Sequence, residues 1–321
     1  MIERTHLQFS QARVLDGGMA SELEFLGADI SGPLWSAHIL EDAPERVKAV
    51  HRAYLEAGAD LLLTASYQVS RKGYVEFGLT PADADKALLR AVELAESVRS
   101  ESGRQELLIA ASLGPYGAAL HNGAEYHGNY ECSFDALVDF HHERIAVLAD
   151  SGADLLAFET IPSLEEARAI AHALEPWPQL AAWMSFTCPE PHGVALQVAH
   201  GEQLFDCAAF ANSVPQVIAI GVNCTEPRSI AGLIAEIKRA SIKPVVIYPN
   251  SGEGWDPQER RWTGVNEPRS FGRLALEWYA AGAQLIGGCC RTRPEHIREV
   301  AAASHVHRSG LIRVAQLSDL E

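Results

Sequence analysis

The chain has 321 residues, 47% of them apolar, so one large α/β domain with an extensive core is within reach. Lys and Arg number 26 against 42 Asp and Glu, a net charge of −16, which disfavours nucleic acid and anionic membranes and points to small-molecule partners. No apolar run approaches the roughly 18 residues of a membrane span and the first residues lack a signal-peptide pattern. The expectation is therefore a cytoplasmic protein whose six cysteines are reduced.

Eight strands are predicted in chain order, at 14–16, 61–66, 107–113, 155–159, 180–186, 217–223, 245–248 and 285–288. Each is a short apolar run, and helical patterns separate most of them, which implies a parallel sheet. Eight such units predict a single (β/α)8 barrel of the TIM type. A short pattern supports the count. Ala57-Gly58-Ala59-Asp60 returns as Ser151-Gly152-Ala153-Asp154 and as Ala281-Gly282-Ala283-Gln284, each time between a helical stretch and an apolar run. The glycine suits the left-handed position that closes a helix. Capping boxes are expected at Thr292-x-x-Glu295 and Ser163-x-x-Glu166, with looser versions at Asp42 to Glu45 and Thr80 to Asp83. The fifth unit, 188–212, carries Pro189, Pro191 and Gly193 and reads as a long loop. The barrel is assigned to 1–303. Residues 304–321 form a C-terminal extension without a barrel role.

Barrel enzymes place their chemistry at the C-terminal ends of the strands. Here those ends are polar, glycine-rich or cysteine-bearing, whereas the strands behind them are apolar. Cys224 closes strand 6, and Cys289-Cys290 close strand 8 behind Gly287-Gly288, whose permissive dihedrals would let both thiols turn to one side. A lone cysteine at a strand end is more often a small packing hydrophobe. A vicinal pair with a third nearby favours Zn²⁺, one per chain, held by Cys224, Cys289 and Cys290 with a fourth position open. Cys132, Cys188 and Cys207 have no such company and are assigned to packing. The His141-His142 pair, in a helical segment, is read as packed or solvated.

Glu159 ends an otherwise apolar strand. It needs either a structural arginine or a substrate ammonium, or else its proton. Asp16, in Asp16-Gly17-Gly18, is either a turn carboxylate or a second such group. Asn250, between the two cysteine-bearing strands, is a turn residue or an oxygen donor to the metal. Trp35, Tyr67, Tyr116 and Trp255 lie near loops of the same face. Singly they pack, and together their ring faces suit a cation.

Gly287-Gly288-Cys289-Cys290-Arg291-Thr292, with Asn223-Cys224 upstream, resembles the signature of the homocysteine S-methyltransferases. Leu15 to Ala20, Thr64 to Gln68, Gly114 to Ala118 and Tyr248 to Glu253 resemble the bacterial and plant branch, over about Val14 to Val300. The resemblance implies a zinc barrel that transfers a methyl group from a sulfonium, S-methylmethionine or S-adenosylmethionine, to homocysteine. It implies Cys224, Cys289 and Cys290 as zinc ligands and catalytic residues. Asp16, Gly17, Met19, Ala20, Glu159, Asn223 and Asn250 are implied as the homocysteine-side contacts. Trp35, Tyr67, Tyr116 and Trp255 are the donor-side candidates. A betaine-dependent relative is the nearest rival, and a zinc hydrolase on the same barrel is the rival from another class. That hydrolase ordinarily draws on His and carboxylate ligands, and no His-x-His stands at the end of strand 1. Monomer and dimer both remain open.

Overall fold

A computed structural model describes residues 7, 9, 11–30, 32, 34–189, 196–256, 261–264 and 266–309. Eight strands make one parallel sheet: β1 (Arg13–Val14), β2 (Leu61–Leu63), β3 (Leu108–Leu113), β4 (Leu155–Ile161), β5 (Ala182–Phe186), β6 (Val217–Asn223), β7 (Val245–Tyr248) and, after a hairpin, β10 (Leu285–Ile286). A parallel bridge between Leu15 and Leu61 joins β1 to β2, while β10 pairs with both β1 and β7, so the sheet comes round to a nearly closed barrel. The predicted runs at 217–223 and 245–248 match β6 and β7, and the other strands end within a few residues of their predicted limits. The hairpin, β8 (Gly254–Asp256) with β9 (Arg261–Thr263), is an addition after β7 that the apolar pattern did not mark.

Alternation along the strands separates two cores. Leu15, Leu61, Leu108, Ala110, Leu155, Ala157, Trp183, Ala219, Val246 and Tyr248 fill the barrel interior. Leu62, Ala111, Leu156, Phe158, Ile220 and Ile247 pack outward against the helices. β6 approaches β7 closely at Gly221, where a Cβ would overlap the Val246 carbonyl oxygen. No rotamer relieves a clash with backbone. Gly221→Ala is therefore expected to destabilise the barrel by about 3 kcal/mol or more, seen as a lower denaturation midpoint.

The three-fold pattern acts as read. Gly58 (φ 104°), Gly152 (φ 91°) and Gly282 (φ 110°) are all left-handed. Its fourth residue has a further task that the sequence did not show. Asp60 Oδ2 accepts from Val14 N at 3.1 Å, Asp154 Oδ2 from Ile109 N at 2.8 Å, and Gln284 Oε1 from Val245 N at 2.8 Å. Each tethers the start of a neighbouring strand at the bottom of the barrel.

The fifth unit holds a helix, Leu204–Ser213, entered through a bridge between Gln197 and Gln203; residues 190–195 lie outside the described residues. The eighth helix, Pro294–Ser309, continues past 304 with Ser304 fully buried, and the rest of the extension lies outside the described residues.

Two of the expected capping boxes are put to other uses. Ser163 caps its helix by accepting from Glu166 N at 3.1 Å, but the Glu166 carboxylate turns away to Tyr116 N (2.6 Å), His141 Nε2 (2.9 Å) and the Tyr130 hydroxyl. Thr292 Oγ1 donates to Cys289 O at 2.7 Å and accepts from Gly18 N at 3.1 Å. In both cases a buried tertiary partner displaces the local one, because a buried polar group left unpaired costs more than an exposed cap gains. The Thr80–Asp83 box is complete. At Asp42 to Glu45 the N-cap is Ala43, with no side-chain cap.

Candidate active site

Above the apolar filling, the next inward layer is polar: Ser112 on β3, Glu159 on β4, Ser185 on β5, Asn223 on β6, and the Tyr248 hydroxyl on β7. Tyr248 accepts from Trp183 Nε1 at 3.1 Å, and Glu159 hydrogen-bonds Ser112 and Tyr248. Asn223 is spent on the scaffold. Its Oδ1 accepts from Thr160 N (2.7 Å) and Ser185 Oγ (2.8 Å), and its Nδ2 donates to Thr160 Oγ1 (2.8 Å). It thus fixes the turn that follows Glu159, although it also lines the cavity.

Strict alternation would point Cys224, next after Asn223, into the helix layer. Instead its backbone is left-handed, φ 51°, and the thiol swings to the mouth. A non-glycine residue held there stores about 1–3 kcal/mol of strain, and Cys224 N is secured to Tyr248 O at 3.2 Å. Thr160 (φ 60°) and Arg291 (φ 65°) are turned in the same way beside Glu159 and Cys290. Gly287 and Gly288 serve differently from the expectation. Neither has a positive φ. They are required for space, because a Cβ on Gly287 would come within 2.6 Å of Asp16 O and one on Gly288 would overlap the Thr292 side chain. The Cys289-Cys290 turn is braced by Cys289 N to Pro249 O at 2.8 Å and Ser251 N to Cys290 O at 3.0 Å.

The result is one sulfur cluster. Cys224 Sγ lies 3.0 Å from Cys289 Sγ and 3.4 Å from Cys290 Sγ, and all three sulfurs lie within 4.8 Å of one another. Sulfurs bound to a tetrahedral zinc at about 2.3 Å stand about 3.8 Å apart, so a small outward relaxation admits the ion. Hydrogen bonds from the other two thiols hold Cys290 well below the usual thiol range. Among the described residues this is the one cluster of three or more groups able to bind a metal, and it contains no histidine. Cys188 and Cys207 are buried apart from it, with burial pushing the Cys207 thiol up to about 12, and Cys132 lies in a different surface cleft.

A cavity of about 160 Å³ descends from the sulfurs into the barrel. Asp16, Gly17, Gly18, Met19 and Ala20 form one wall, Ser112, Glu159, Thr160 and Asn223 another, with Tyr67, Tyr126 and Tyr248 between. Asp16 Oδ2 accepts from Leu63 N at 2.9 Å. Burial, with Glu159 opposite, drives the Asp16 carboxyl well above its usual range, and burial raises Glu159 to about 7. The cavity's lining includes no lysine or arginine.

A second cavity of about 930 Å³ opens outside the sulfurs, lined in part by Glu226, Arg228, Asn250, Glu253, Glu267 and Arg273. Asn250 Oδ1 is buried there without a hydrogen-bond partner. Three residues belong to both cavities: Tyr126, Cys224 and Cys290. Of the aromatic candidates, Tyr67 lines the inner cavity, half-buried, and hydrogen-bonds Thr160. Tyr116 does not line either cavity. It packs on Tyr130 (5.4 Å) and Phe140 (5.1 Å), because Glu166 anchors its backbone below the mouth. Trp35 and Trp255 sit in described backbone, but their side chains lie outside the described residues. Tyr126, which sequence reasoning passed over, is the aromatic beside the sulfurs. Its hydroxyl is 3.7 Å from Cys224 Sγ. Its only sequence signal was its place in the loop after strand 3.

Fold and site together describe a (β/α)8 barrel whose mouth carries three clustered cysteines able to hold a metal, above a small cavity lined by polar groups. The chain belongs to the homocysteine S-methyltransferase family, whose pattern matches residues 13–304. It is 44% identical over 297 residues to homocysteine S-methyltransferase YbgG of Bacillus subtilis (strain 168), covering 90% of this chain and 93% of the relative. The homocysteine methyltransferase MmuM of Escherichia coli in its metallated form superposes with a TM-score of 0.82 at 38% identity, covering 93% of this chain and 98% of that one. Its apo form superposes with 0.73 at 34% identity, covering 94% and 98%. No helix among the described residues is long and apolar enough to cross a membrane.

Proposed function

We propose that this chain transfers a methyl group from a sulfonium, S-methylmethionine or S-adenosylmethionine, to homocysteine, giving methionine, with one Zn²⁺ per chain on Cys224, Cys289 and Cys290. The observation that carries the reading is the place of the sulfurs: Cys224 and Cys290 form part of the wall between an inner cavity with two unpaired carboxylates and an outer, larger one. Homocysteine's thiol has a pKa near 8.5 and is mostly protonated at neutral pH. Zinc held on three thiolates supplies deprotonation of that thiol.

The chain's own residues do the rest. Glu159 and Asp16 hold the ammonium of homocysteine and are ionised by it. The helix Met19–Phe25 starts at Gly18 without a side-chain cap, which leaves first-turn amides for the substrate carboxylate. The amino acid is thereby fixed with its sulfur directed at the outer cavity. As the homocysteine sulfur bonds the methyl carbon, the donor's sulfur–methyl bond breaks and its electron pair stays on the donor sulfur. The donor leaves as a neutral thioether and needs no proton, so catalysis is chiefly positioning. Asn250 Oδ1, orphaned beside the cysteines, suits the fourth metal position before homocysteine arrives. Small molecules as the sole partners agree with the net charge of −16, and a cytoplasmic setting agrees with six free cysteines.

Initial rates with S-methylmethionine, S-adenosylmethionine and betaine, measured side by side on homocysteine, test the donor. Either sulfonium is expected to outpace betaine, which lacks a neutral thioether leaving group. Faster turnover with betaine would sink the sulfonium assignment and leave the acceptor intact.

A further inference from the structure

We infer that Tyr126 is the residue that holds the cationic methyl donor against the attacking sulfur, an inference that rests on the sulfonium reading above. Two molecules that react across the inner and outer cavities must meet at the wall those cavities share. Among the described residues that wall is Cys224, Cys290 and Tyr126. The two cysteines are committed to the metal. Tyr126 is left to bear on the donor.

Its placement suits a cation. The hydroxyl sits 3.7 Å from Cys224 Sγ, while the side chain as a whole is 50% exposed, so the ring is pinned at its tip and open to the outer cavity. An aromatic face attracts a sulfonium as it does an ammonium, through the ring quadrupole. A ring also shields the reacting methyl from water without offering a competing nucleophile.

The loop is built to keep the ring there. Tyr126 ends a tight 3-10 turn, Ala124–Tyr126, entered through left-handed Gly123 (φ 81°) and closed by Gly128 N to Ala124 O at 2.8 Å. Gly117 lies so close beneath that a Cβ there would overlap Glu125 N. On either side of the turn, the buried Glu166 carboxylate holds Tyr116 N and the Tyr130 hydroxyl. Arg144 Nη2, also buried, donates to Gly114 O at 3.0 Å where the loop leaves β3. The ring is thus preorganised by groups that touch neither substrate.

The test is a comparison of wild type, Tyr126→Phe and Tyr126→Ala, each loaded with zinc. S-methylmethionine binding in the absence of homocysteine is measured by calorimetry, and steady-state rates are measured with both substrates. Removing the ring is expected to weaken S-methylmethionine about 10- to 30-fold, the range of a desolvated cation–π contact. The phenylalanine variant should stay within about threefold of wild type. Zinc content, melting temperature and the KM for homocysteine should be unchanged in both. Wild-type affinity in Tyr126→Ala would overturn the inference. Equal losses in the two variants would overturn it too, since the hydroxyl and not the ring would then be responsible. A wild-type enzyme that methylates homocysteine with neither sulfonium would instead refute the sulfonium reading on which this rests.

Discussion

Cys289→Ser is expected to yield a folded protein that carries no zinc and methylates homocysteine at least about a thousandfold more slowly. Loss of a mere outer-shell partner already costs a metal site about 10- to 100-fold, and loss of a ligand should cost more. The fold should survive because Cys289 lies at the rim of the interior core, which is otherwise filled by Leu15, Trp183, Val246 and Tyr248. Cys224→Ser should lose metal equally, and it keeps the left-handed backbone at φ 51° that the protein already tolerates there. Cys132→Ser, in a separate cleft, should retain full metal and full rate. Metal content by elemental analysis and initial rates on one preparation decide the matter. A metal-free Cys289→Ser protein that still turned over at the wild-type rate would remove zinc from the mechanism.

Glu159→Gln is expected to make the protein more stable and nearly inactive. Burial raises this carboxyl from 4.5 to about 7 in the folded chain. The folded state therefore binds the proton more tightly than the unfolded state. Stability tied to the group is fully present below pH 4.5, falls as pH climbs towards 7, and stays low above it. The whole shift corresponds to about 3 kcal/mol at most. Gln keeps the acceptor for Ser112 and removes the charge. Thermal or urea unfolding of the metal-free protein should show a gain of about 1–3 kcal/mol at pH 8 and a much smaller one at pH 5.

Activity should move the other way. Deleting one partner of a buried charged pair costs about 2–5 kcal/mol, so kcat/KM for homocysteine should drop about 30-fold or more. In wild type, kcat/KM should fall as pH drops through about 7, where the free enzyme's Glu159 takes up its proton. That acid limb should be missing in the variant. Undiminished homocysteine affinity in Glu159→Gln would show that the ammonium binds elsewhere. The opposite signs of the two effects are what distinguish a ligand-seeking carboxylate from a structural one: the alternative of a structural arginine for Glu159 finds no ion pair among the described residues.

The local patterns in the sequence carried a good deal of this. Apolar runs of strand length between helical stretches are a short-range property, and they located all eight barrel strands. The left-handed glycines at 58, 152 and 282 were legible because only glycine takes that conformation without strain. Thiol chemistry at strand ends was enough to single out Cys224, Cys289 and Cys290. What failed was whatever depended on distant partners. Ser163-x-x-Glu166 and Thr292-x-x-Glu295 look like ordinary helix caps, yet Glu166 is drawn to Tyr116, Tyr130 and His141, and Thr292 to Cys289 and Gly18. His141, read as packed or solvated, is a fully buried member of that network.

Tyr116 and Tyr126 make the same point within one loop. Both are tyrosines after strand 3, and nothing in their neighbourhood ranks them. Glu166 anchors the first away from the mouth, and the turn at 124–126 delivers the second to a sulfur 98 positions along the chain. The sequence by itself determined the barrel and singled out the three thiols that cluster at its mouth, because periodicity and residue chemistry are written position by position. Only the tertiary structure decided that Cys224 turns inward against strand alternation, that Asn223 serves the scaffold, and that Tyr126 divides the two cavities. Those outcomes follow from buried polar groups seeking partners across the barrel, and no local pattern encodes which partner is reached.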